Sequence, residues 1–338
     1  MKVWLPTIKA GSGADVFVNR LAAGLRNQGL EAEITWFDRR YEFVPFLLKN
    51  ILPPAGTDII IANSWNGFAF KRAGIPLVIV ELHCVLDPGF RAYKSFSQHL
   101  YHKLLIEKFE TASFSKASHV VAISEYTATS VMAVFGLTDV TTIPLWVPID
   151  KFEPEQSVPV ESNIPFRLLF VGNLIRRKGA DLLAPIMAQL GEDFHLRFTS
   201  GLRSAASDKC PGNMTPLGHL SEAELIREYQ NCDALLFPTR FEGFGYAALE
   251  AMACGKPVVT SDNTSLPELV ADGENGILCP TDDIDSFVSA CRTLAGNKSR
   301  CKKMGEIGLD KARSGFSEEY NASQYASMLQ SVLSGTIK

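Results

Sequence analysis

An α/β protein built on two parallel sheets is what the sequence predicts, and three observations predict it. Short apolar runs of strand length alternate with helix-period segments from end to end. Those runs are continuous rather than alternating, as strands covered on both faces require. The pattern breaks once, at 152–165, and restarts at Arg167, so that a chain of 338 residues divides into two domains.

In chain order, strands are expected at Val3–Leu5, Ala32–Phe37, Ile59–Ala62, Leu77–Leu82, Val120–Ile123 and Val140–Ile143. A second series follows at Leu168–Val171, Leu196–Thr199, Ala234–Phe237 and Val258–Ser261. Helix ends are marked by glycines that accept the left-handed closing turn: Ala14–Asn27 stops at Gly29, Glu125–Phe135 at Gly136, and the helix through Leu249–Ala253 at Gly255. The stretch FEPEQSVPVESNIP at 152–165 holds three prolines and three glutamates with no periodicity and reads as a linker. Domains at 1–155 and 156–317 follow, with a C-terminal helix at about 318–338 expected to pack back on the first. Open α/β sheets bind ligands beyond the carboxyl ends of their strands, so the expected site is a cleft between two facing domains.

Composition narrows the class of function. A hydrophobic fraction of 46% with 21% charged residues excludes a disordered chain. Thirty-three basic against 37 acidic residues give a net charge of −4, so bulk charge does not favour nucleic acid. The start MKVWLPTIKAGSG holds no apolar stretch long enough for a secretory h-region and no run approaches membrane-span length, so a cytoplasmic protein is expected. The seven cysteines form no C-x-x-C pair. Cys210, Cys232 and Cys254 recur every 22 residues, which is not a metal-ligand spacing, and all seven are expected to be reduced and mostly packed in cores. Asp283-Ile284-Asp285 precedes SFVSACRTL and reads as a helix cap rather than a metal site. Gly11-Ser12-Gly13 lacks the third glycine of a dinucleotide fingerprint, because position 16 is valine.

The chemistry concentrates in two strand-to-helix loops. In the first, a buried strand ends at Pro238, a loop carries Glu242, Gly243 and Gly245, and a helix carries Glu250. Glycines there bring backbone close to a ligand and leave N–H groups at the positive end of a helix. Two carboxylates facing a ligand suit hydroxyl groups, as a sugar and a ribose supply. The structural alternative makes Glu242 a helix-start carboxylate and Glu250 a solvated helix residue. In the second loop, RLLFVGNLIRRKGADLL, a Gly172 turn leads to Arg176, Arg177 and Lys178 and then to Gly179 before a helix. Three cations and a helix start can neutralise a diphosphate, although such a run is often just solvated.

These residues resemble the donor domain of the retaining glycosyltransferases of family 4, which have the GT-B fold of two facing Rossmann-like domains. The family's E-x7-E motif matches Glu242 through Glu250, and its continuation matches Phe244 to Val259. Pro267-Glu268-Leu269-Val270 and Asp272-Gly273-Glu274-Asn275-Gly276 are also similar. In the first half the match is looser, through Gly11-Ser12-Gly13, His83, HVVAISEYT from His119 and IPLWVPIDKF from Ile143.

The resemblance implies that Lys178 binds the donor diphosphate, Glu250 the ribose hydroxyls and Glu242 the transferred sugar, with the Phe244 and Gly245 backbone beside it. It implies that Gly218 contacts the base through backbone, that His83 lies near the donor sugar, and that Gly13 approaches phosphate or acceptor. Where the family often has arginine after Gly172, this chain has Asn173, which shifts the diphosphate onto Lys178 with Arg176 or Arg177. Arg240 is a further candidate cation. The implied reaction is net-retaining sugar transfer without a metal or other cofactor, from a UDP- or GDP-linked sugar to a saccharide or lipid-linked saccharide of cell-surface glycan. The alternatives are a nucleotide-sugar epimerase or hydrolase on the same fold, and a non-catalytic nucleotide-sugar-binding subunit.

One further segment bears on partners. FRAYKSFSQHLYHKLLIEK, from Phe90 to Lys108, mixes Phe90, Tyr93, Phe96 and Tyr101 with Arg91, Lys94, Lys103 and Lys108. Packing on the first sheet explains most of such a pattern, and a peripheral contact with the inner face of an anionic membrane is the competing expectation.

Overall fold

The computed structural model describes residues 1–154, 165–200 and 211–336 and divides into two units. Residues 1–146 with 318–338 form the first, and 147–317 the second. Most of the predicted linker, 155–164, lies outside the described residues. Its first residues are packed into the second unit: Phe152 is buried against Tyr229 with ring centroids 6.4 Å apart.

The first unit carries a six-stranded parallel sheet of β1 (Lys2–Ile8), β2 (Glu31–Phe37), β3 (Ile59–Asn63), β4 (Leu77–Glu81), β5 (His119–Ala122) and β6 (Thr141–Thr142), in the order β2-β1-β3-β4-β5-β6. Val3 pairs with both Ala32 and Ile59, which makes β1 an interior strand and explains its unbroken apolar run. Trp4, Ile60, Phe70 and Ile79 fill one face of the core. The Glu318–Ser334 helix packs on the Gly13–Asn27 helix, where Asn27 Nδ2 donates to Glu318 Oε1 at 2.6 Å. Trp146 meets Tyr325 edge-on at 5.8 Å.

The second unit holds β7 (Phe166–Phe170), β8 (Phe194–Thr199), β9 (Met214–Gly218), β10 (Ala234–Phe237), β11 (Val258–Ser261) and β12 (Gly276–Cys279), all parallel, in the order β12-β11-β10-β7-β8-β9. The α/β parallel-sheet expectation is met in both units. Two strands lie outside those expected, β9 and β12, and both are sheet edges: MTPLG contains a proline and GILC is a four-residue run that opens on a glycine after a turn. The first strand of this unit, β7, lies beside its fourth, β10, so the direction of winding reverses between them. That reversal opens a crevice at their carboxyl ends, where open α/β sheets take ligands. Arg167 grips Asp233 at the other end, with its Nη2 2.8 Å from Oδ1, and fixes the two strands in register.

Candidate active site

The two chemistry-bearing loops of the sequence are the loops that follow β7 and β10 at this reversal. The strands that carry them are dry: Leu235 and Leu236 are fully buried, as are Leu169 and Phe170. After β7 the chain makes a short turn, Arg176–Lys178, and enters the Ala180–Leu190 helix through Gly179. After β10 it runs from Pro238 to Gly245 and enters the Tyr246–Ala253 helix, which has no side-chain cap at Gly245.

Backbone hydrogen bonds stitch the loops together. The Arg177 carbonyl accepts from the Arg240 N–H at 2.8 Å and from Thr239 Oγ1 at 3.2 Å, and Arg177 Nη1 donates to the Phe241 carbonyl at 2.7 Å. Gly179 makes this approach feasible. Its φ is +71°, and a Cβ there would lie 1.9 Å from the Pro238 carbonyl oxygen. Gly245, at φ +109°, turns the second chain into its helix.

Lys178 and Glu242 meet in this clasp. Lys178 Nζ forms an ion pair with Glu242 Oε1, beneath which Nζ sits 5.3 Å from the centroid of the Phe237 ring. Thr239 Oγ1 donates to the same carboxylate oxygen at 2.9 Å. Burial alone would raise the Glu242 carboxyl, but Lys178, Arg177 and the hydrogen bonds from Lys178 and Thr239 outweigh it and hold it below the ordinary carboxylate value. Burial pulls the Lys178 ammonium below the usual lysine value against the opposing pull of Glu242.

The remaining fixings lie farther along the chain. The Glu242 N–H donates to Thr264 Oγ1 at 3.2 Å, and Ser265 Oγ donates to the carbonyls of Glu242 and Phe244 at 3.2 and 3.0 Å. Among the described residues, Thr264 at φ 50° and Asp282 at φ 69° are the non-glycine residues with positive φ. For a β-branched residue such as Thr264 this is an outlying conformation, costing on the order of 1–3 kcal/mol. Both hold this site, because Asp282 pairs with Arg240.

Arg240 corrects one expectation. Its side chain is 4% exposed and is neutralised by Asp181, at 2.6 and 2.9 Å, and by Asp282. It braces the two loops rather than offering a cation to a ligand. Arg176 is the exposed member of the basic turn, Arg177 is half-buried and engaged, and Lys178 points inward.

Glu250 is not a solvated helix residue: it is buried, and Tyr229 Oη donates to its Oε2 at 3.1 Å. Phe244 is anchored by its ring, 5.8 Å from that of Phe316, which leaves the backbone of 244 and 245 at the helix entry. Gly172 continues from β7, its N–H donating to Thr199 Oγ1 at 3.0 Å, and Asn173 turns the chain by accepting from the Ile175 N–H at 2.8 Å. Gly218 ends β9 at the sheet edge with φ +68° and open space where a Cβ would stand. It is two strands away from β7.

In the first unit, Gly13 opens its helix behind the Ser12 cap. The N–H groups of Ala10 and Gly11 are held by the Asp15 carboxylate at 2.9 and 2.8 Å, so this loop presents an acid where a phosphate cradle would present donors. His83 lies just past β4, its N–H donating to Glu81 Oε1 at 3.2 Å and its ring 6.1 Å from Phe90.

Asp283 caps the Ile284–Gly296 helix, accepting from the Ser286 N–H at 3.1 Å, and Asp285 accepts from Gln189 Nε2 at 3.1 Å, so the D-x-D string is a helix start. Among the described residues no group of three His, Cys, Asp or Glu is placed to hold a metal ion. The six described cysteines are free and buried, while Cys210 falls outside the described residues.

The Phe90–Lys108 segment is not one amphipathic helix. It comprises a turn at Pro88–Tyr93, a helix at Phe96–Tyr101, a π-helical stretch at His102–Ile106 and then the Glu107–Phe114 helix. Phe90 is buried, whereas Phe96 is 83% exposed and Leu100 and Leu104 are also exposed. A second segment joins them: the Phe43 ring lies tilted against Tyr101 with centroids 5.6 Å apart, and Phe43, Leu47 and Leu52 are exposed. Among the described residues, no helix is long and apolar enough to cross a membrane.

The fold defines the class. The two-sheet α/β architecture is GT-B, the fold of solved glycosyltransferases that it resembles in shape. One is the sucrose-phosphate synthase of Thermosynechococcus elongatus, with a TM-score of 0.82 at 18% identity over 99% of this chain and 100% of that one. Another is Anabaena Alr3699/HepE in complex with UDP-glucose, with a TM-score of 0.75 at 18% identity over 98% and 100%.

In sequence, residues 165–297 match the family described as Glycosyl transferases group 1, a segment that contains both stitched loops. The uncharacterized glycosyltransferase MJ1178 of Methanocaldococcus jannaschii is 31% identical over 42% of this chain and 42% of its own length. The lipopolysaccharide core biosynthesis mannosyltransferase LpsB of Rhizobium meliloti is 28% identical over 55% and 57%. The chain thus spans about half the length of these curated relatives.

Proposed function

We propose that this chain is a retaining, metal-independent glycosyltransferase that moves a sugar from a UDP- or GDP-linked donor to a saccharide or lipid-linked saccharide in cell-surface glycan synthesis. The observation that carries this reading is the buried Lys178–Glu242 pair at the strand-order reversal of the second sheet, beside an uncapped helix start. The match of 165–297 supports it, as do a structural neighbour crystallised with UDP-glucose and a relative that is a lipopolysaccharide mannosyltransferase.

In this reading Lys178, with Arg176 or Arg177, and the N–H groups at the Tyr246 helix entry bind the donor diphosphate and stabilise the charge it gains as the sugar leaves. Glu242 accepts hydrogen bonds from the sugar hydroxyls, and Glu250, oriented by Tyr229, from the ribose. Gly218 receives the base through backbone. Retention follows if the departing phosphate assists deprotonation of the acceptor on the face it leaves. His83 keeps its expected place beside the donor sugar, and the carboxylate of Asp15 favours a hydroxyl-bearing acceptor at Gly13 over a phosphate.

The exposed apolar side chains of 43–52 and 96–104, interleaved with Lys49, Lys103 and Lys108, would rest on an anionic bilayer and bring a lipid-linked acceptor within reach.

Incubation with a panel of UDP- and GDP-sugars tests the reading. Slow donor hydrolysis, and transfer with retained anomeric configuration on adding a saccharide acceptor, is the expected result. An isomerised donor would make the chain an epimerase, and thermal stabilisation without turnover a binding subunit.

A further inference from the structure

Two carboxyl groups are sealed inside the first unit. Glu81, the last residue of β4, is 1% exposed, and Glu110, on the Glu107–Phe114 helix, is fully buried. One oxygen of each is engaged: Ser64 Oγ donates to Glu110 Oε1 at 3.1 Å, and the His83 N–H donates to Glu81 Oε1 at 3.2 Å. The Oε2 atoms of both are buried without a hydrogen-bond partner.

The groups around them offer little compensating charge. Lys94 acts on Glu110 from a distance, but its Nζ is bonded to the Val85 carbonyl. His102 is held neutral, its imidazolium disfavoured by burial and then by Lys94 and His99, which lower it to about 4. Asp87 is taken up by Tyr126, at 2.9 Å, and Ser130. The Cys84 thiol is pushed up to about 12 by burial and by the two glutamates, and adds no charge.

Two ionised carboxylates so placed would carry a large desolvation penalty and repel each other, and retaining a proton removes most of both. We infer that Glu81 and Glu110 together retain at least one proton at neutral pH, and that Glu81 is a positioning residue that fixes the backbone of His83. Burial raises Glu81 to about 8, and burial with the Glu81 charge lifts Glu110 well above the ordinary range. The pair titrates as a unit. As the pair ionises above about pH 8, charge accumulates in a dry site, β4 and the Glu107–Phe114 helix repel, and the His83 amide loosens. A carboxyl with a raised folded value binds its proton more tightly in the native state, so this pair's contribution to stability falls as pH rises from the ordinary carboxylate range to about 8. The catalytic consequence rests on the role proposed for His83; the proton itself does not.

The test is a carboxyl-carbon NMR titration of the whole chain, with hydrogen exchange at the His83 amide, in the absence of any sugar. One glutamate signal should keep its protonated shift to about pH 8 and be missing from the spectrum of Glu81→Gln, and a second raised signal should be missing from that of Glu110→Gln. The His83 protection factor should drop across that transition in the wild type and hold in Glu110→Gln, which removes the repulsion and leaves the Glu81 acceptor in place. Melting temperature should decline between about pH 5 and 8 more steeply in the wild type than in either variant. Should Glu81→Gln fold poorly, Glu110→Gln carries the test alone. Ordinary titration of both carboxyls, or a His83 protection factor unmoved through the transition, overturns the inference. Because no donor is present, either result is separable from failure of the transferase reading. In a transfer assay the alkaline loss should fall on kcat with donor KM unmoved, and Glu110→Gln should abolish it.

Discussion

Gly179 and Pro238 touch so closely that no side chain fits between them: a Cβ on Gly179 would sit 1.9 Å from the Pro238 carbonyl oxygen. The contact lets the loop after β7 lie against the loop after β10. Gly179→Ala combines this clash with a strained positive φ, so a loss of at least about 2 kcal/mol is expected. Denaturant unfolding should give a lower midpoint with an unchanged slope. A variant as stable as the parent would mean that the loops do not meet in solution.

The buried ion pair predicts a stability cycle as well as a loss of rate. Lys178→Ala should lower kcat/KM by on the order of a hundredfold, about 3 kcal/mol, through loss of charge on the leaving group. It should also strand Glu242 and cost about 3–5 kcal/mol in stability. The double variant Lys178→Met/Glu242→Leu should recover much of that stability and none of the activity. Recovery of both would remove the pair from the reaction. As pH falls through the depressed folded value of Glu242, the stability that its ionised form contributes should be lost, and Glu242→Gln should flatten that acid limb.

The ribose role proposed for Glu250 predicts that donor binding can be separated from chemistry. Glu250→Gln should raise donor KM with little change in kcat, since ribose contacts are made equally in ground and transition states. Tyr229→Phe should do the same more weakly, by about 1 kcal/mol, because it loses the hydrogen bond that orients the carboxylate. Melting curves with UDP or GDP at 100 times Kd should rise by an amount equivalent to about 2.7 kcal/mol, and by less in Glu250→Gln.

For the exposed apolar face, Leu47→Glu with Phe96→Glu should abolish co-sedimentation with anionic vesicles while leaving transfer to a water-soluble acceptor intact. Vesicles of neutral lipid should capture the wild type poorly, because Lys49, Lys103 and Lys108 supply much of the attraction. Equal capture by both lipids would deny the charge component, and no capture at all would deny the contact.

The sequence disclosed the parts of this site whose residue type carries the chemistry and hid the parts whose conformation does. Glu242, Glu250 and Lys178 could be picked out because together they fit the spacing of a known family motif, although each taken alone reads as readily as a structural residue. Strands β10 and β11 were delimited to the residue because both faces are buried and the run is continuous. Thr264 and Asp282 gave no such signal. They act through positive φ and through partners 22 and 42 residues away, and neither property is written in a local pattern. Arg240 misled for a related reason: an arginine beside Glu242 looks available until the aspartates that neutralise it are brought in by the fold. The exposed residues at 43–52 carry no local signal, because the fold brings them to 96–104 through contacts such as that of the Phe43 and Tyr101 rings, far apart in the chain.

The stitching of Arg177 to Thr239, Arg240 and Phe241 has a practical side for anyone exchanging parts between relatives. Transplanting one of these loops would import half a buckle. A chimaera that aims to change the donor must move residues 172–182 and 238–246 together, along with Thr264 and Asp282. Selectivity is more safely redesigned at the unencumbered rim near Gly218.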